Sequence, residues 1–176
     1  MEFINIIKKR YATKKFDGKE IPQEKINQLL EMIQYAPSSV GLQQFKVKIV
    51  KDQETKEKLL GHSYNQEQIT TCSHLLVFCA YTDFDARLKG YTELMAAKGV
   101  PQEGIDGFAG MAKGFLGMVA EPQAALNWAA RQAYIAMDHA MLGATSLGID
   151  SCPMEGFDAQ KYSEILALPE NLTPVV

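Results

Sequence analysis

The sequence predicts an α+β fold in a single domain that spans residues 1–176, and three observations support this prediction. Strand patterns at 45–51 and 74–82 are separated by helical patterns of ordinary length. A long run from Gln123 to Leu147 consists mostly of small and apolar residues, which predicts a helix buried on more than one side. No G-x-G-x-x-G follows a strand and no P-loop motif occurs, so a doubly wound nucleotide-binding fold is not supported.

The N-terminal third of the chain predicts two helices and one strand. Residues 2–10 place Phe3, Ile6 and Ile7 on one side, which predicts a short amphipathic helix. A second helix follows Pro22 at a favourable first-turn position and stops before Pro37. Apolar and polar residues then alternate over 45–51, so this strand should have one buried face.

The remaining elements follow from the same patterns. A helix is predicted over 53–61, and the continuous apolar run of 74–82 predicts a strand covered on both faces. Gly148 ends the long helix, a last helix covers 159–166, and residues 173–176 begin another strand. The small residues of 123–147 permit close approach, so we expect that helix at the centre of the domain and at a subunit interface.

Composition excludes several classes of protein. Of the 176 residues, 47% are hydrophobic and 22% charged, as in soluble globular proteins, and no apolar run is long enough to cross a membrane. A net charge of −3 argues against a nucleic-acid surface. The N-terminus lacks a signal-peptide pattern, which favours a cytoplasmic protein. No metal is expected because the histidines and cysteines lack ligand spacing; the three cysteines, expected to be reduced, are Cys72, Cys79 and Cys152.

A basic stretch from Arg10 to Phe16, preceded by Lys8 and Lys9, stands out in this acidic chain. Cations at a helix C-terminus offset the negative end of the helix dipole, which is the simplest explanation for the cluster. The alternative is a site for a phosphate or an anionic ring system, since Arg offers a planar fork of donors and Lys a mobile charge. Residues elsewhere in the chain decide between the two.

Four separated motifs occur in an order typical of one family. They are R-Y-A-T-K-K-F at 10–16, A-P-S-S-V-G-L-Q-Q-F at 36–45, Asn65-Gln66-Glu67-Gln68 ahead of a buried strand, and L-G-I-D-S-C-P-M-E-G-F at 147–157. Together they resemble the FMN-dependent nitroreductases, in particular the oxygen-insensitive NAD(P)H nitroreductases. The resemblance covers nearly the whole chain and is weakest over 83–120. It implies a nitroreductase-like fold, with a small sheet flanked by helices and a long buried helix at a dimer interface.

The resemblance also implies roles for the N-terminal motifs. Arg10 would contact the FMN phosphate, Tyr11 and Ala12 would add contacts, and Lys14 would lie at the pyrimidine side of the flavin ring. Pro37, Ser38 and Ser39 would contribute flavin contacts from the partner subunit, although this motif by itself favours a helix stop followed by a serine-rich turn. Asn65 would meet the ring edge, or simply cap a helix over 65–72. Gln68 stands where close relatives carry a second ring-contacting Lys.

The C-terminal motif lies nearest to the implied reaction. Pro153, Met154, Glu155 and Gly156 would run along one edge of the flavin, with the backbone N–H of Glu155 or Gly156 donating to the flavin N5. Glu155, Gly156 and Lys14 are therefore the residues expected to act in the reaction. A Glu155 carboxyl acting as a general acid and a plain Pro-Gly turn are the alternatives. Phe115 is expected to roof the substrate face, although an aromatic at helical spacing is more often core.

By this resemblance the protein is an FMN-dependent oxidoreductase of ping-pong mechanism. NADH or NADPH would reduce the flavin, and a small-molecule acceptor such as a nitroaromatic or a quinone would reoxidise it. It would be a homodimer with active sites at the interface. A non-catalytic flavin or nucleotide binder of the same fold, or a helical interaction protein, are the alternatives. Relatives continue past the C-terminal strand to cations that grip the phosphate, so the chain lacks that extension; a truncation and a naturally short variant both remain open.

Overall fold

A computed structural model describes residues 2–176 of the chain and contains eight α-helices and three strands in that range. The helices are α1 (Phe3–Lys9), α2 (Gln23–Gln34), α3 (Gln53–Leu60), α4 (Gln68–Thr71), α5 (Phe84–Ala97), α6 (Gln102–Met118), α7 (Pro122–Ser146) and α8 (Ala159–Ile165). The strands are β1 (Phe45–Val50), β2 (Leu75–Tyr81) and β3 (Leu172–Pro174). The predicted α+β class is therefore confirmed.

The three strands form one antiparallel sheet with β2 in the centre. Phe45 pairs with Ala80 at one end of the β1–β2 ladder and Val50 with Leu75 at the other. On the other side of β2, Tyr81 pairs with Leu172. All three predicted strands are present, and their ends differ from the prediction by one or two residues, as is usual for element boundaries.

A β-bulge follows β3 at the end of the chain. The N–H groups of Val175 and Val176 both point at the carbonyl oxygen of Phe78, at 2.9 and 3.5 Å, while the Phe78 N–H donates to the Val176 oxygen at 2.8 Å. Two residues thus face one, which is the pattern of a bulge. The bulge keeps the chain paired with β2 through Val176.

The sheet is covered on both faces, as predicted for β2. Phe78 packs in a cluster with Leu29 and Ile33 of α2, with Ala136 of α7 and with Val176. Val77 and Cys79, which alternate with Phe78 along the strand, point into a second cluster that includes Leu59, Ile69, Tyr162 and Leu166. A third cluster, around Trp128, joins α5 and α6 to the start of α7.

Helix α7 lies at the centre of these contacts, in agreement with the sequence prediction. Ala129, Ala133 and Ala136 are completely buried, and the helix packs against both the sheet and α2. At Gly143 the approach of α2 is closest, since a β-carbon there would lie 2.7 Å from Met32 Sδ and 3.2 Å from Leu29 Cδ1. Small side chains on α7 are therefore what allows the layers to pack together.

Three details differ from the sequence expectation or add to it. The helix expected over 65–72 begins only at Gln68 with Glu67 as its N-cap, so the alternative role of Asn65 as a helix cap is wrong. The region where the resemblance is weakest contains the two helices α5 and α6, and the glycines inside these helices lie on exposed faces where they are tolerated. Helix α1 forms as predicted, but Phe3 and Ile7 remain 62% and 47% exposed.

No helix within residues 2–176 combines the length and the apolarity that crossing a bilayer requires.

The packing at Gly143 gives a stability prediction. Gly143→Leu should destabilise the protein by about 1 to 3 kcal/mol, because the added side chain forces Met32 and Leu29 out of their positions. Gly110→Leu is the matched control, since nothing lies within 4 Å of a β-carbon there and leucine is the better helix former. Urea denaturation followed by circular dichroism measures both. A Gly143→Leu protein as stable as the Gly110→Leu protein would contradict the packing assigned to α7.

Candidate functional site

The basic stretch leaves α1 and runs beside the segment that follows α7. The Arg10 N–H closes the helix by donating to the Ile6 oxygen at 3.0 Å. Ala12 forms a parallel bridge with Ser151, and the Thr13 N–H donates to the Ser151 oxygen at 3.1 Å. These backbone contacts hold Ala12 and Thr13 against Ser151. The next residues on the two segments, Lys14 and Cys152, are 138 positions apart in the sequence.

Cys152 is where three of the four sequence motifs meet. Its sulfur lies 3.6 Å from Lys14 Nζ and 3.8 Å from Gln68 Nε2. The same Gln68 amide donates to Gln66 Oε1 at 3.0 Å. Lys14, Gln68 and the C-terminal motif, separated in the sequence, therefore form one cluster in the fold.

The Pro153–Gly156 loop is held by two side chains from different elements. Gln66 Nε2 donates to the Gly156 oxygen at 3.1 Å, and the Tyr134 hydroxyl of α7 donates to Glu155 Oε1 at 2.7 Å. Within residues 2–176, the backbone N–H groups of Glu155 and Gly156 donate to no backbone carbonyl. Two donors in succession are thus available to a ligand beside the loop.

Burial and the nearby carboxylate determine the protonation of Tyr134. Partial burial, together with the hydrogen bond to the negative Glu155 carboxylate, raises the pKa of Tyr134 to about 12. The hydroxyl therefore keeps its proton at neutral pH. Because an ionised carboxylate can only accept, Tyr134 is the donor in this pair.

The cations of the basic stretch divide into two kinds. Lys15 Nζ pairs with Glu67 Oε2 at 2.9 Å, and both side chains are largely exposed. Lys8 and Lys9 sit in the last turn of α1, where they offset the helix dipole. In the described part of the chain, by contrast, no carboxylate lies within ion-pair distance of Arg10 or Lys14. These two charges are available to an anion.

A cavity of about 550 Å³ adjoins the cluster. Thr13, Gln68, Cys152 and Met154 line it, and apolar residues of β2 and α7 form its far wall. The Ser151 hydroxyl, also in the wall, is buried without a hydrogen-bond partner in residues 2–176. Concave, largely apolar sites with a few convergent polar groups are the usual form of a small-molecule site.

The remaining motif, at residues 36–45, lies on the opposite side of α7 from the Pro153–Gly156 loop. The Ser39 N–H donates to Gln132 Oε1 at 2.9 Å, and Ser38 Oγ accepts from the Gln43 N–H at 2.8 Å. Residues 132 and 134 are about 200° apart around a helix of 3.6 residues per turn. Pro37–Ser39 and Glu155 therefore contact opposite faces of α7, and one chain does not bring them together.

The other residues singled out from the sequence have less specific surroundings. Tyr11 is 70% exposed. Asn65 is exposed in a left-handed conformation, with φ of 55°, and its N–H donates to the Leu60 oxygen. Phe115 packs on Trp128 with ring centroids 5.1 Å apart, in the third core cluster. In residues 2–176, no group of three or more His, Cys, Asp or Glu side chains is placed to hold a metal ion.

Three residues of the cluster were missed from the sequence. Gln66 stood inside a recognised motif but had no assigned role, and the adjacency of Cys152 to Pro153 was the only signal for the thiol. Nothing in the sequence indicated Tyr134, because a tyrosine in an apolar helical pattern is indistinguishable from a core residue.

Two relatives are similar in sequence to most of this chain. A protein of Staphylococcus epidermidis provisionally named NAD(P)H nitroreductase is 37% identical over 169 residues, which are 90% of this chain and 74% of the relative. A Bacillus subtilis protein with the same provisional name is 32% identical over 166 residues, covering 89% and 75% of the two chains.

Solved structures show the same fold. The crystal structure of a provisionally named nitroreductase from Bacillus subtilis superposes with a TM-score of 0.91 at 27% identity, covering 98% of this chain and 84% of its own. A structure from Exiguobacterium sibiricum, determined in complex with FMN, superposes with a TM-score of 0.85 at 22% identity, covering 99% and 85%. The sequence profile of the nitroreductase family matches residues 7–176, and the chain belongs to that family.

Proposed function

We propose that the protein is an FMN-dependent oxidoreductase that transfers hydride from NADH or NADPH to a small acceptor such as a nitroaromatic or a quinone. The observation that supports this most is the cluster that Lys14 and Gln68 form with Cys152 and the Pro153–Gly156 loop, beside a cavity that Gln68, Cys152 and Pro153 line. The names of the relatives point to NAD(P)H as the electron donor, and the Exiguobacterium structure holds FMN in the same fold.

The residues present fit an FMN molecule. Arg10 and Lys14 have no carboxylate partner, so they offer charge to a phosphate and to a reduced ring. The orphaned Ser151 hydroxyl and the two unpaired N–H groups of the loop offer hydrogen bonds to ring heteroatoms. The apolar cavity wall suits the body of an isoalloxazine. Of these groups, the Ser151 oxygen is a buried side-chain atom, for which the lack of a partner in the described residues is most costly.

FMN, when bound, supplies the redox chemistry, taking hydride at N5 from one substrate and passing it to the next in a ping-pong sequence. The protein contributes position and charge. Arg10 would bind the phosphate, with Tyr11 and Ala12 beside it, and Lys14 would stabilise negative charge on the reduced ring. Glu155 and Gly156 would act through their N–H groups, and Pro153 and Met154 would bound the ring edge.

Gln68 has a consequence for the redox balance. It is a neutral amide shared between Gln66 and Cys152, which leaves Lys14 as the cation of this cluster. A single positive charge stabilises the reduced anion less than two would, so the flavin potential should be lower than in relatives with a Lys at this position.

We propose that a second copy completes the site. Pro37–Ser39 lies across α7 from Glu155, so these residues can reach a flavin only in another subunit. The apolar side of α1 adds support, because Phe3, Ile4 and Ile7 are between 47% and 62% exposed and α1 packs against α7. Contiguous exposed apolar surface of this kind marks interaction sites.

The test of the function is spectroscopic. The protein incubated with FMN and freed of excess should keep its yellow colour. Under anaerobic conditions NADH or NADPH should bleach it, and a nitroaromatic or a quinone should restore it. A bound flavin that ignores both nicotinamides would support a non-catalytic binder instead, and a colourless protein would contradict the proposal.

Replacing Arg10 separates phosphate binding from general charge. Arg10→Ala should weaken FMN binding roughly tenfold to a hundredfold, since a hydrogen bond to a charged group contributes about 1.5 to 3 kcal/mol. Lys15→Ala, which removes an equal charge from an exposed pair, should leave affinity nearly unchanged. Fluorescence titration of FMN measures both constants. Equal affinities in the two variants would rule out Arg10 as the phosphate ligand.

The dimer is tested by placing a charge on α1. Ile7→Asp should shift the protein from dimer to monomer in sedimentation velocity and reduce FMN retention, because burying an unpaired carboxylate is costly. Ala167→Asp adds the same charge at an exposed position after α8 and should remain dimeric. If Ile7→Asp sediments as the unchanged protein does, α1 is not in the interface.

A further inference from the structure

We propose that Tyr134 is a positioning residue for the reaction, which holds the Pro153–Gly156 loop in place through the carboxylate of Glu155. This inference rests on the proposed function, because it concerns the backbone donors that the loop would present to the flavin. Tyr134 itself lies on α7, outside the motifs that identify the site. No sequence pattern assigns it a role.

The anchor of this contact is rigid. Tyr134 follows Ala133 and precedes Ala136 by two positions, and both alanines are completely buried in the central core. The backbone of Tyr134 cannot move without disturbing that packing. Its hydroxyl lies 2.7 Å from Glu155 Oε1, a length typical of a charge-assisted hydrogen bond.

The hydroxyl also joins the loop to the end of the sheet. Its oxygen lies 3.2 Å from the Val175 carbonyl oxygen, next to the bulge that pairs with Phe78. A hydroxyl has one proton, and the shorter contact to a charged acceptor takes most of it. Tyr134 thus connects α7, the loop and the last residues of the chain at one atom.

The loop depends on such contacts because it has little structure of its own. Residues 152–157 form no helix or strand, and its local backbone bond runs from the Phe157 N–H to the Glu155 oxygen at 3.0 Å. Gln66 holds the Gly156 oxygen from the other side at 3.1 Å. Tyr134 and Gln66 therefore restrain two successive residues, the ones whose N–H groups are unpaired.

Small displacements at such a position matter for hydride transfer. A misplacement of about 1 Å can cost a hundredfold in rate when donors and acceptors must be aligned. Losing one of two restraints should displace the loop by less than losing both. We therefore expect a rate loss of roughly tenfold from removal of the Tyr134 hydroxyl alone.

The test compares Tyr134→Phe with Tyr35→Phe, which removes a hydroxyl from a side chain 77% exposed. Tyr134→Phe should bind FMN with nearly unchanged affinity but be reduced by NADH or NADPH about tenfold more slowly in stopped flow. Tyr35→Phe should match the unchanged protein in both measurements. A rate for Tyr134→Phe equal to that of Tyr35→Phe would overturn the proposal.

Removing the carboxylate distinguishes positioning from simple packing. Glu155 is exposed, so Glu155→Ala should fold normally and slow reduction to a similar degree. If Tyr134 acts through Glu155, the double variant Tyr134→Phe/Glu155→Ala should be no slower than either single variant. Multiplying rate losses in the double variant would show that Tyr134 acts by another route. Should Tyr134→Phe fail to fold, Glu155→Ala alone decides, and an unchanged rate would overturn the proposal.

Two readings without flavin keep this test separate from the proposed function. Hydrogen exchange of the Phe157 amide, which donates to the Glu155 oxygen, should accelerate in Tyr134→Phe and Glu155→Ala but not in Tyr35→Phe. In the Glu155→Ala apoprotein, NMR titration should show the pKa of Tyr134 lowered from its value of about 12. It should stay above 10, because burial is the larger cause of the raised pKa. If both results are as expected and no FMN binds, the Tyr134–Glu155 contact is confirmed and the proposed flavin function is wrong. If neither holds, the contact itself is wrong.

Discussion

The close packing of α7 is the constraint on which the rest of the structure depends. A helix whose inner side is built from alanines and a glycine can lie against the sheet and α2 at once, where larger side chains would separate the layers. With the backbone of α7 fixed in this way, the longer side chains that it carries become reliable anchors. Gln132 holds the Ser39 turn, and Tyr134 holds the Glu155 loop.

Gln132 and Tyr134 point to opposite sides of α7, and this separates the Ser39 turn from the Glu155 loop. Segments 10–14, 65–68 and 151–156 converge on one side of α7, whereas Pro37–Ser39 turns back on the other. A single chain therefore does not bring all four motifs together, and this is the basis on which we proposed a second copy. The uncovered apolar residues of α1, which packs on the same helix, fit that arrangement.

The cations of the basic stretch differ in whether a carboxylate lies near them. The chain is acidic overall, yet Arg10 and Lys14 have no carboxylate nearby in the described residues, while Lys15 does. Cations without a carboxylate partner can attract an anionic ligand, whereas an exposed pair such as Lys15–Glu67 contributes little to stability. The amides of Gln66 and Gln68 and the sulfur of Cys152 lie between Lys14 and the loop.

The sequence by itself determined the fold class, the three strands and the central helix, because these follow from local periodicity and from the small residues of α7. The order of four motifs along the chain also predicted the nitroreductase family, and that prediction is confirmed. The sequence did not predict where α4 begins, and the alternative role of Asn65 as a helix cap was therefore wrong. The start of α4 depends on a left-handed turn at Tyr64 and Asn65 that no local pattern predicts.

Only the tertiary structure decided which motifs meet. The parallel bridge of Ala12 with Ser151, the thiol of Cys152 between Lys14 and Gln68, and the reach of Tyr134 to Glu155 all join residues distant in sequence. Periodicity identifies the face of a helix but not what packs against it. The contacts that shape the site are of that second kind, and so they became visible only when the chain was folded.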